Sequence, residues 1–541
     1  MRRVCVRSGR NQTRERYLIC GDCDNGGDTA QVTSLASQHL TKSRYIAGLQ
    51  CPRRLWLLVH EPLPYEEPAP GSAMDVGQEI GRKAHLLFPG GVRIEEAPWQ
   101  HPDAAARTAV LMNDTRVPAI FEAAFEYQDI RIRVDVLERL GYGAWGLREV
   151  KSSSGLKDHY LDDIALQTYV LRGAGVAVSS IELLHVNTAY VRGPTGIRWT
   201  DFFGRLDVGD AVAAKLNDLP SRLPAQRDCL GMIELPDAEP GSQCAIPYAC
   251  EFWDRCTADK PADWISYLPR LSQGSVSELK ARGIESISAI PADYPLTAKQ
   301  AIIRDAIVSR RPYVAPDLAC LLRACGSPTC YLDFEAMMPP IPLYEGTRPY
   351  QTIPFQWSLH MTTGDGTLCH REFLAEGDED PRRRFAETLI EALEAFDAPI
   401  IVYSTYEQTR LNELAEEFFA LRASLNAIIA RLVDLLPIVR SAIYFPEFGF
   451  TNSIKFVAPA LCPDFGYDDL KEIADGGAAS AAFLRLASGH VTHPSETDQL
   501  RVALLAYCKR DTLALFEVHR ALTRLASSAS KSSEGGLIEV S

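Results

Sequence analysis

Acidic side chains inside strand-like apolar segments are the feature that most constrains the fold of this chain. In the first half, the segment RIRVDVLERL places Asp135 within an alternating apolar run. In the second half, TCYLDFEA places Asp333 and Glu335 two residues apart. Because side chains two apart on a strand point to the same face, both carboxylates are expected on one face of a sheet. These segments predict a β-sheet in each half of the chain.

Length and composition limit the class of protein. A chain of 541 residues is too long for one core, so two or three domains are predicted. No run of eighteen apolar residues occurs, and residues 1–38 lack the apolar stretch of a secretory signal. We therefore expect a soluble cytoplasmic protein without a membrane partner. The net charge of −14 argues against a surface that binds nucleic acid everywhere, but it leaves room for a local basic groove.

Periodicity and turn residues divide the chain into two α/β regions. In the first, strands are predicted at 119–127, 130–139, 144–151 and 179–188, with a helix at 160–173. In the second, strands are predicted at 331–336, 355–361, 372–374 and 399–404, with helices at 381–396, 406–421, 468–486 and 498–525. The predicted organisation is a tail (1–38), an α/β domain (39–260), a small helical linker (261–326), a second α/β domain (327–526) and a second tail (527–541).

The predicted linker carries one motif. Leu279, Gly283, Ile284, Ile287 and Ile290 follow the pattern L-x-x-x-G-I-x-x-I-x-x-I. This spacing resembles a helix-hairpin-helix element, which binds nucleic-acid backbone through amides at its turn. The alternative is a small helical linker with its own apolar core.

The first candidate metal centre consists of Asp135, Glu149 and Lys151. Glu149 and Lys151, in LREVKSSS, stand two apart on a predicted strand and so share a face. Carboxylates bind Mg²⁺ or Mn²⁺ through oxygen, and the metal polarises a phosphate and lowers the pKa of a bound water. A lysine beside them can orient that water or neutralise developing charge. The set predicts phosphodiester hydrolysis; the alternative is a solvated Glu-Lys strand beside an unrelated core aspartate.

The D…E-x-K pattern resembles the PD-(D/E)xK nucleases, whose fold is that of restriction endonucleases. A G-x-x-x-H motif that ends at His85 and a glutamine, Gln167, after the lysine strand resemble the RecB branch of that family. The resemblance implies that His85 joins Asp135 and Glu149 as a metal ligand. It also implies that Lys151 is catalytic and that Gln167 assists from the following helix.

Two more residues are candidates at this centre. Tyr169 stands closer to Gln167 than the tyrosine of the family pattern Q-x-x-x-Y. Glu122, in IFEAAF, is a further candidate acidic ligand.

Fourteen cysteines in a chain expected to be cytoplasmic indicate metal ligation and buried thiols rather than disulfides. Cys51 precedes the first α/β core, and Cys244, Cys250 and Cys256 follow it. This order resembles the iron–sulfur staple of the AddB subunit and of CRISPR-associated RecB-like exonucleases, where four cysteines bind a 4Fe–4S cluster. The downstream spacing here is C-x₅-C-x₅-C, where C-x₂-C-x₅-C is usual. A structural Zn²⁺ and unligated buried thiols are the alternatives.

The other clustered cysteines carry less information. Cys20 and Cys23 form a C-x-x-C inside the predicted tail, with no second pair nearby for a zinc site. Cys320, Cys325 and Cys330 lie in an apolar passage and are predicted to be core residues.

The second candidate metal centre combines Asp333 and Glu335 with residues near the C-terminus. Tyr507 and Asp511, in YCKRDT, stand four apart and so share one face of a predicted helix. D-x-E on a first strand and Y-x-x-x-D on a late helix resemble the DEDDy exonucleases of the RNase H-like fold. In that family four acidic residues bind two metal ions, and the tyrosine positions the attacking water.

The fourth acidic ligand is the least regular part of this motif. The family places an aspartate just after a strand, within N-x-x-F-D, and the equivalent stretch here is IVYSTYEQTRLNEL. Glu407 is therefore the candidate, with Ser404 where asparagine is usual and Asp434 as a reserve ligand. The segment FTNSIKF, which contains Lys455, resembles the stretch before the helices that lead to the last aspartate.

Taken together, residues 40–525 resemble a family of uncharacterised bacterial proteins known as a domain of unknown function. The leading interpretation is a metal-dependent nuclease with two centres, a DNA exonuclease in repair or in defence against foreign DNA. Nucleic acid is the expected partner, and DNA is favoured over RNA. The alternatives are an RNA-processing nuclease and a binding protein in which one or both centres are inactive remnants.

Overall fold

A computed structural model describes residues 39–64, 67–470 and 472–532. The predicted tail at 1–38, which contains Cys20 and Cys23, lies outside the described residues. The strands are β1 (Leu40–Thr41), β2 (Val92–Arg93), β3 (Ala119–Tyr127), β4 (Ile130–Gly141), β5 (Ala144–Lys151), β6 (Val178–Val186), β7 (Phe203–Asp207), β8 (Tyr313–Val314), β9 (Cys330–Met337), β10 (Ile353–Thr362), β11 (Leu368–Leu374), β12 (Ile400–Val402), β13 (Leu432–Asp434) and β14 (Ile443–Tyr444).

Helices alternate with these strands along most of the chain. They are α1 (Lys42–Gln50), α2 (Pro52–His60), α3 (Ala73–Ala84), α4 (His101–Asn113), α5 (Asp158–Gly173), α6 (Trp199–Phe202), α7 (Gly209–Leu216), α8 (Leu219–Gly231), α9 (Trp253–Thr257), α10 (Gln273–Ala281), α11 (Ala298–Ser309), α12 (Leu318–Leu321), α13 (Arg382–Leu393), α14 (Tyr406–Glu417), α15 (Arg422–Ile429), α16 (Leu436–Ala442), α17 (Ile454–Leu461), α18 (Gly476–Ala487) and α19 (Pro494–Ser532). The chain is thus a mixed α/β protein, as predicted.

The first half is built on one mixed sheet in which β2 to β7 lie in chain order and β1 pairs with β4. Two-residue turns join β3 to β4 and β4 to β5, and all four turn residues have positive φ: Gln128, Asp129, Tyr142 and Gly143. Turns of this kind match the twist of the strands they connect, which fixes the register of the three-stranded meander. Helix α5 then crosses over so that β6 pairs parallel with β5. The strands predicted at 119–127 and 144–151 are confirmed.

Apolar alternation drives the core of this half. Along β4, Ile130, Ile132, Val134 and Val136 are buried while the residues between them are partly exposed, as expected of a half-buried strand. Helices α4 and α5 pack on the sheet, and α5 is buried on most of its surface. Helices α1 and α2 are separated at Cys51, because Pro52 starts a new helix.

The predicted linker is part of the second half rather than a separate unit. Its buried residues Trp264, Leu279 and Ile287 belong to the same apolar core as Tyr331 and Leu515. Strand β8 of the linker pairs with β14 of the second region, so the predicted boundary at residues 326/327 separates segments that pack together. Leu279, Ile287 and Ile290 of the helix-hairpin-helix-like pattern are thus core residues, but the core is shared with the second half and is not, as the alternative interpretation expected, the linker's own.

The second sheet has the order β11-β10-β9-β12-β13, with β9 at its centre. Strands β9, β10 and β11 are antiparallel neighbours, whereas β12 and β13 add parallel to β9 and to each other. Helix α19 lies across β9 and β10. Central placement of β9 brings its acidic residues under this helix.

The C-terminal helix α19 is longer than predicted. It runs from Pro494 to Ser532, so residues 527–532, expected as part of a tail, are helical. Residues 533–541 lie outside the described part of the chain. None of the described helices is long and apolar enough to span a membrane.

The loop between β9 and β10, residues 338–352, reaches back to the first half; we call it the strap. The backbone of Arg192 exchanges hydrogen bonds with the strap, donating to Thr347 O at 3.0 Å and accepting from Gly346 N at 2.9 Å. The Arg192 guanidinium donates to Pro342 O at 2.8 Å. The Tyr350 hydroxyl donates to the backbone oxygen of Ser152, the residue after Lys151. The strap therefore joins the strands of the second sheet to the edge of the first candidate centre.

Candidate metal centres

Strands β4 and β5 place the first acidic pair side by side. Their ladder pairs Val136 with Arg148, which sets Asp135 beside Glu149. The backbone N–H of Val150 donates to Asp135 Oδ2 at 2.8 Å, so the carboxylate takes the place of a ladder partner. Glu149 is fully buried, whereas Asp135 is partly exposed. The pair therefore presents one open carboxylate next to one buried carboxylate.

Lys151 and Gln167 both contact Glu149. Lys151 Nζ lies 2.6 Å from Glu149 Oε1, and Gln167 Nε2 donates to Glu149 Oε2 at 2.7 Å. Both groups also bind Asp163, at 2.9 Å and 3.0 Å. Sequence reasoning missed Asp163, although it stands four residues before Gln167 and hence on the same face of α5. Lys42 was also missed; its Nζ lies 3.5 Å from Asp135 Oδ1.

His85 and Glu122 border this cluster. The His85 imidazole stacks on Phe121 with ring centroids 3.9 Å apart. Burial lowers the pKa of His85 and the positive charge of Arg93 adds to this, while Asp135 opposes both; the shift favours the neutral ring, the form that binds a metal. Glu122 has a φ of 57°, a strained conformation for this residue type. Burial and then Asp135 raise the pKa of its carboxyl.

Tyr169 lies outside the first centre. Its hydroxyl donates to Gln128 Oε1 at 2.9 Å, and its ring packs on Tyr127. A helix turns by about 200° over two residues, so Tyr169 lies on the side of α5 opposite to Gln167. This residue therefore takes no part in the candidate site.

Charge balance at the first centre is set by burial. Burial raises the pKa of Glu149 to about 7, and Asp135 and Asp163 add to the shift. Burial acts in the same direction on Asp163, but Lys151 and Lys42 outweigh it and bring the Asp163 pKa well below its usual range. A divalent cation between Asp135 and Glu149 would favour the ionised carboxylates. The candidate ligands Asp135, Glu149 and His85 offer carboxylate oxygen and one imidazole nitrogen, donor atoms that suit Mg²⁺ or Mn²⁺.

The four predicted cysteine ligands meet at one small cavity. Cys51, Cys244, Cys250 and Cys256 line it, together with Arg53, Arg54 and Phe252. Upstream and downstream segments are tied together by Gln50, whose Nε2 donates to Gln243 O at 2.7 Å and to Tyr248 O at 2.8 Å. Residues nearly two hundred positions apart are thus brought together at the edge of the first core.

The three cysteines Cys320, Cys325 and Cys330 do not form a set of metal ligands. Cys325 and Cys330 are buried, as predicted for core residues, and burial raises the pKa of each to about 11. Cys320 is exposed, so its predicted place in the core was wrong. The short helix α12 turns only one face inward, and there Leu318 is the residue that is fully buried.

In the second half, four carboxylates converge from three elements. Asp333 and Glu335 come from β9, Asp511 from α19, and Glu407 from the first turn of α14. Glu335, Glu407 and Asp511 are all less than 10 % exposed. The negative charges of the other three raise the pKa of Asp333 further, after burial. Glu407 therefore lies at the cluster, although it was the candidate ligand whose sequence motif is the least regular.

One buried oxygen stands out in this group of carboxylates. Glu407 Oε2 is buried and has no hydrogen-bond partner within the described part of the chain. Burial raises the pKa of Glu335 to about 8 and that of Glu407 to about 7. So many carboxylates in one buried place fit divalent cations, which supply the missing positive charge. Asp434 lies behind Glu407, and its Oδ1 accepts from Leu436 N at 2.9 Å.

Aromatic hydroxyls and one lysine surround the second centre. Tyr507 lies beside Asp511, as predicted, and burial followed by that carboxylate raises its pKa. Tyr467, which sequence reasoning missed, donates to Asp511 Oδ1 at 2.7 Å. Lys455 Nζ lies 4.7 Å from the centroid of the Tyr507 ring. No sequence pattern points to Tyr467, because the stretch before α18 has no regular period.

One soft atom also lies within this cluster. Cys508 Sγ is 3.6 Å from Asp333 Oδ2. The possible ligand atoms of Asp333, Glu335 and Cys508 all lie within 4.8 Å of one another. The thiol is fully buried.

The raised carboxyl pKa values predict how stability depends on pH without metal. A glutamate has a pKa of about 4.3 when unfolded, so between there and about pH 8 the folded chain binds more protons than the unfolded chain. Folding stability of metal-free protein should therefore fall as the pH rises from about 7 to about 8.5. This pH range lies above the usual histidine pKa of about 6.5, so the carboxyl groups and not the histidines account for the change. Differential scanning calorimetry in EDTA measures this.

Added Mn²⁺ should raise Tm more at the higher pH, because the carboxylates are then free to bind it. The double variant Glu335→Gln, Glu407→Gln should have a flatter pH dependence and a smaller response to Mn²⁺. A Tm in EDTA that does not change over this pH range would contradict the assignment of buried carboxyls with raised pKa values.

Comparison with known proteins adds a partial family assignment. None of the curated proteins matches the chain. Residues 330–453 match the family described as Domain of unknown function (DUF2779). The matched span includes β9 with Asp333 and Glu335, the strap, and α14 with Glu407, but it ends before Asp511. The chain thus contains a DUF2779 domain at residues 330–453.

Proposed function

We propose that this protein is a metal-dependent nuclease that hydrolyses phosphodiester bonds of nucleic acid, with one metal centre in each half. The observation that carries the proposal is the cluster of Asp333 with the buried Glu335, Glu407 and Asp511, in which one Glu407 oxygen has no partner among the residues that the structure describes. A buried set of carboxylates is costly without compensating positive charge, so its retention favours a metal site.

At the second centre each residue has a distinct role in this proposal. Asp333, Glu335, Glu407 and Asp511 would hold divalent cations, which activate water and stabilise the leaving oxygen when bound. The Tyr467 hydroxyl orients Asp511 through its 2.7 Å hydrogen bond. Tyr507, beside Asp511, would position the attacking water, as the resemblance to DEDDy exonucleases of RNase H-like fold implies.

At the first centre, Asp135, Glu149 and His85 would hold Mg²⁺ or Mn²⁺, as in the PD-(D/E)xK nucleases that it resembles. Lys151 is held by Glu149 and Asp163, so its ammonium is fixed next to the metal ligands, where it can orient water. Gln167 holds the outer oxygen of Glu149 and so keeps that carboxylate in place.

The cysteine cavity would hold a 4Fe–4S cluster through Cys51, Cys244, Cys250 and Cys256, with a structural Zn²⁺ as the alternative. Thiolates are ligands of both groups. Either would fasten the two ends of the first domain together, because Cys51 precedes the sheet and the other three follow it.

DNA is the proposed polymer, cut from an end, in repair or defence, inside the cytoplasm. RNA processing is the second candidate, and a binding protein with one inactive centre is the third. The test is degradation of end-labelled DNA and RNA with Mg²⁺ or Mn²⁺ by wild type, Lys151→Ala, Asp333→Asn and the double variant. Cleavage by wild type that the double variant lacks would support the proposal. Activity retained in the double variant, or none in wild type, would overturn it.

Metal analysis tests the cysteine site. Protein purified without oxygen should be brown and contain about four iron atoms per chain. Cys250→Ser should lose the iron and the colour and should unfold at a lower temperature. Cys369→Ser is the matched control, because Cys369 is exposed and lies outside the cavity. A colourless preparation that contains zinc would make this a zinc site, and wild type with neither metal would contradict any metal role.

A further inference from the structure

A second lysine, Lys42, lies among the carboxylates of the first centre. Its Nζ is 3.5 Å from Asp135 Oδ1, 3.5 Å from Glu149 Oε1 and 3.4 Å from Glu149 Oε2. Lys151 Nζ contacts the same Glu149 carboxylate at 2.6 Å. Two ammonium groups thus flank one buried carboxylate, and no pattern in D…E-x-K accounts for the second.

The backbone around Lys42 is fixed on both sides. Before it, Leu40 and Thr41 pair with the start of β4. Lys42 is the first residue of α1, which Thr41 caps by accepting from Arg44 N at 3.3 Å. At the other end, Gln50 holds the loop that carries the downstream cysteines. The reach of the ammonium is therefore set by a helix that is anchored at both ends.

The N···O distances of Lys42 differ from those of an ordinary structural ion pair. A charge-assisted N–H···O bond is about 2.7–2.9 Å long, which is the range that Lys151 approaches on Asp163. Lys42 instead lies at nearly equal, longer distances from three oxygen atoms of two carboxylates. The ammonium is thus shared between the two carboxylates and has no single short contact. Its side chain is 22 % exposed, so it is accessible from the open side of the site.

We infer that Lys42 is a second catalytic lysine of the first centre, which binds a nonbridging oxygen of the scissile phosphate when metal binds to Asp135 and Glu149. This inference rests on the proposed nuclease function. As water attacks phosphorus and the bond to the leaving oxygen breaks, negative charge grows on the nonbridging oxygens. The Lys42 ammonium, already within 3.5 Å of the metal ligands, donates hydrogen bonds to that charge and keeps its own protons.

The test compares Lys42→Met and Lys42→Arg in an Asp333→Asn background, where only the first centre should cut. Lys42→Met should lower kcat by about 100-fold, the typical effect of losing one donor to a developing oxyanion, with a smaller change in KM. Lys42→Arg keeps the charge and should retain at least a tenth of the parent activity. Lys215→Met is the matched control, because Lys215 also pairs with two carboxylates of this domain, Asp158 and Asp162, but outside the site.

Metal binding gives a readout that a structural role would not produce. Titration calorimetry with Mn²⁺ should show binding at least about threefold tighter in Lys42→Met, because a positive charge next to the ligands is removed. Cleavage by Lys42→Met within about threefold of the parent, or loss of Mn²⁺ binding together with cleavage, would overturn the inference. If the Asp333→Asn parent itself cuts no substrate, the proposed function of the first centre fails, and the role of Lys42 fails with it.

Discussion

Replacing Lys151 with alanine is expected to reduce cleavage by the first centre about 1,000-fold. The ammonium lies 2.6 Å from Glu149 Oε1 and 2.9 Å from Asp163 Oδ2, so both the position of the water and the charge of the metal ligands depend on it. Binding of uncut substrate should change little, because the lysine acts on the reacting atoms. Single-turnover cleavage in the Asp333→Asn background measures the effect.

The control for Lys151→Ala is Lys215→Ala. Lys215 also has two carboxylate partners, Asp158 and Asp162, which both lie on helix α5. It should cleave like its parent. Circular dichroism should show that Lys151→Ala is folded, with a lower Tm in EDTA because Glu149 and Asp163 lose a shared cation. A Lys151→Ala variant that cuts at the parent rate would show that the first centre, as assigned, does not carry the chemistry.

Asp333→Asn is expected to abolish cleavage by the second centre, with a loss of about 1,000-fold or more, since a divalent ion contributes several kcal/mol to this chemistry. Asparagine has nearly the same shape but cannot supply the negative charge that holds the ion. The same change removes one of four repelling carboxylates, so the metal-free variant should be more stable than wild type. Opposite effects on activity and on Tm in EDTA are the signature of a metal ligand.

Exonuclease turnover in the Lys151→Ala background and calorimetry measure these two effects. Asp365→Asn is the matched control, because Asp365 is an exposed aspartate in the turn between β10 and β11. Cleavage that persists in the Lys151→Ala, Asp333→Asn double variant would contradict the proposal that these two centres cut, and would point to a third site or a contaminant. A fall in Tm of metal-free Asp333→Asn would mean that Asp333 supports the fold through contacts other than charge.

Local patterns predicted the central strands of both sheets but missed the shorter strands β1, β2, β7 and β13. Strands β3 and β5 are largely buried segments that end at turn residues, so neighbouring sequence is enough to find their limits. The acidic residues of β9 lie in a segment of the same kind. A residue on the face of a sheet can thus be predicted from the sequence wherever its strand can be predicted.

Residues that reach a site from elsewhere were missed for the opposite reason. Lys42 starts a helix far along the chain from Asp135 and Glu149, and only the pairing of β1 with β4 brings it there. Tyr467 lies just before a helix that was predicted to start at residue 468, but α18 begins only at Gly476, where the Asp475 side chain accepts from Ala478 N. The irregular stretch before this cap carries Tyr467 to Asp511.

The linker shows the same limit at the level of domains. Its own apolar spacing was visible, but the partner surface that buries Leu279 and Ile287 comes from residues more than a hundred positions later, such as Leu515. Sequence patterns describe which residues are buried, not what buries them.

The strap has a consequence for how such a protein can change over evolutionary time. Its sequence lies within residues 330–453, whereas the groups that hold it, Arg192 and Ser152, lie in the other half. A gene rearrangement that moved the second half next to an unrelated domain would leave the strap without the surface it binds. The two halves are therefore expected to be inherited, and lost, as a pair rather than shuffled as independent modules.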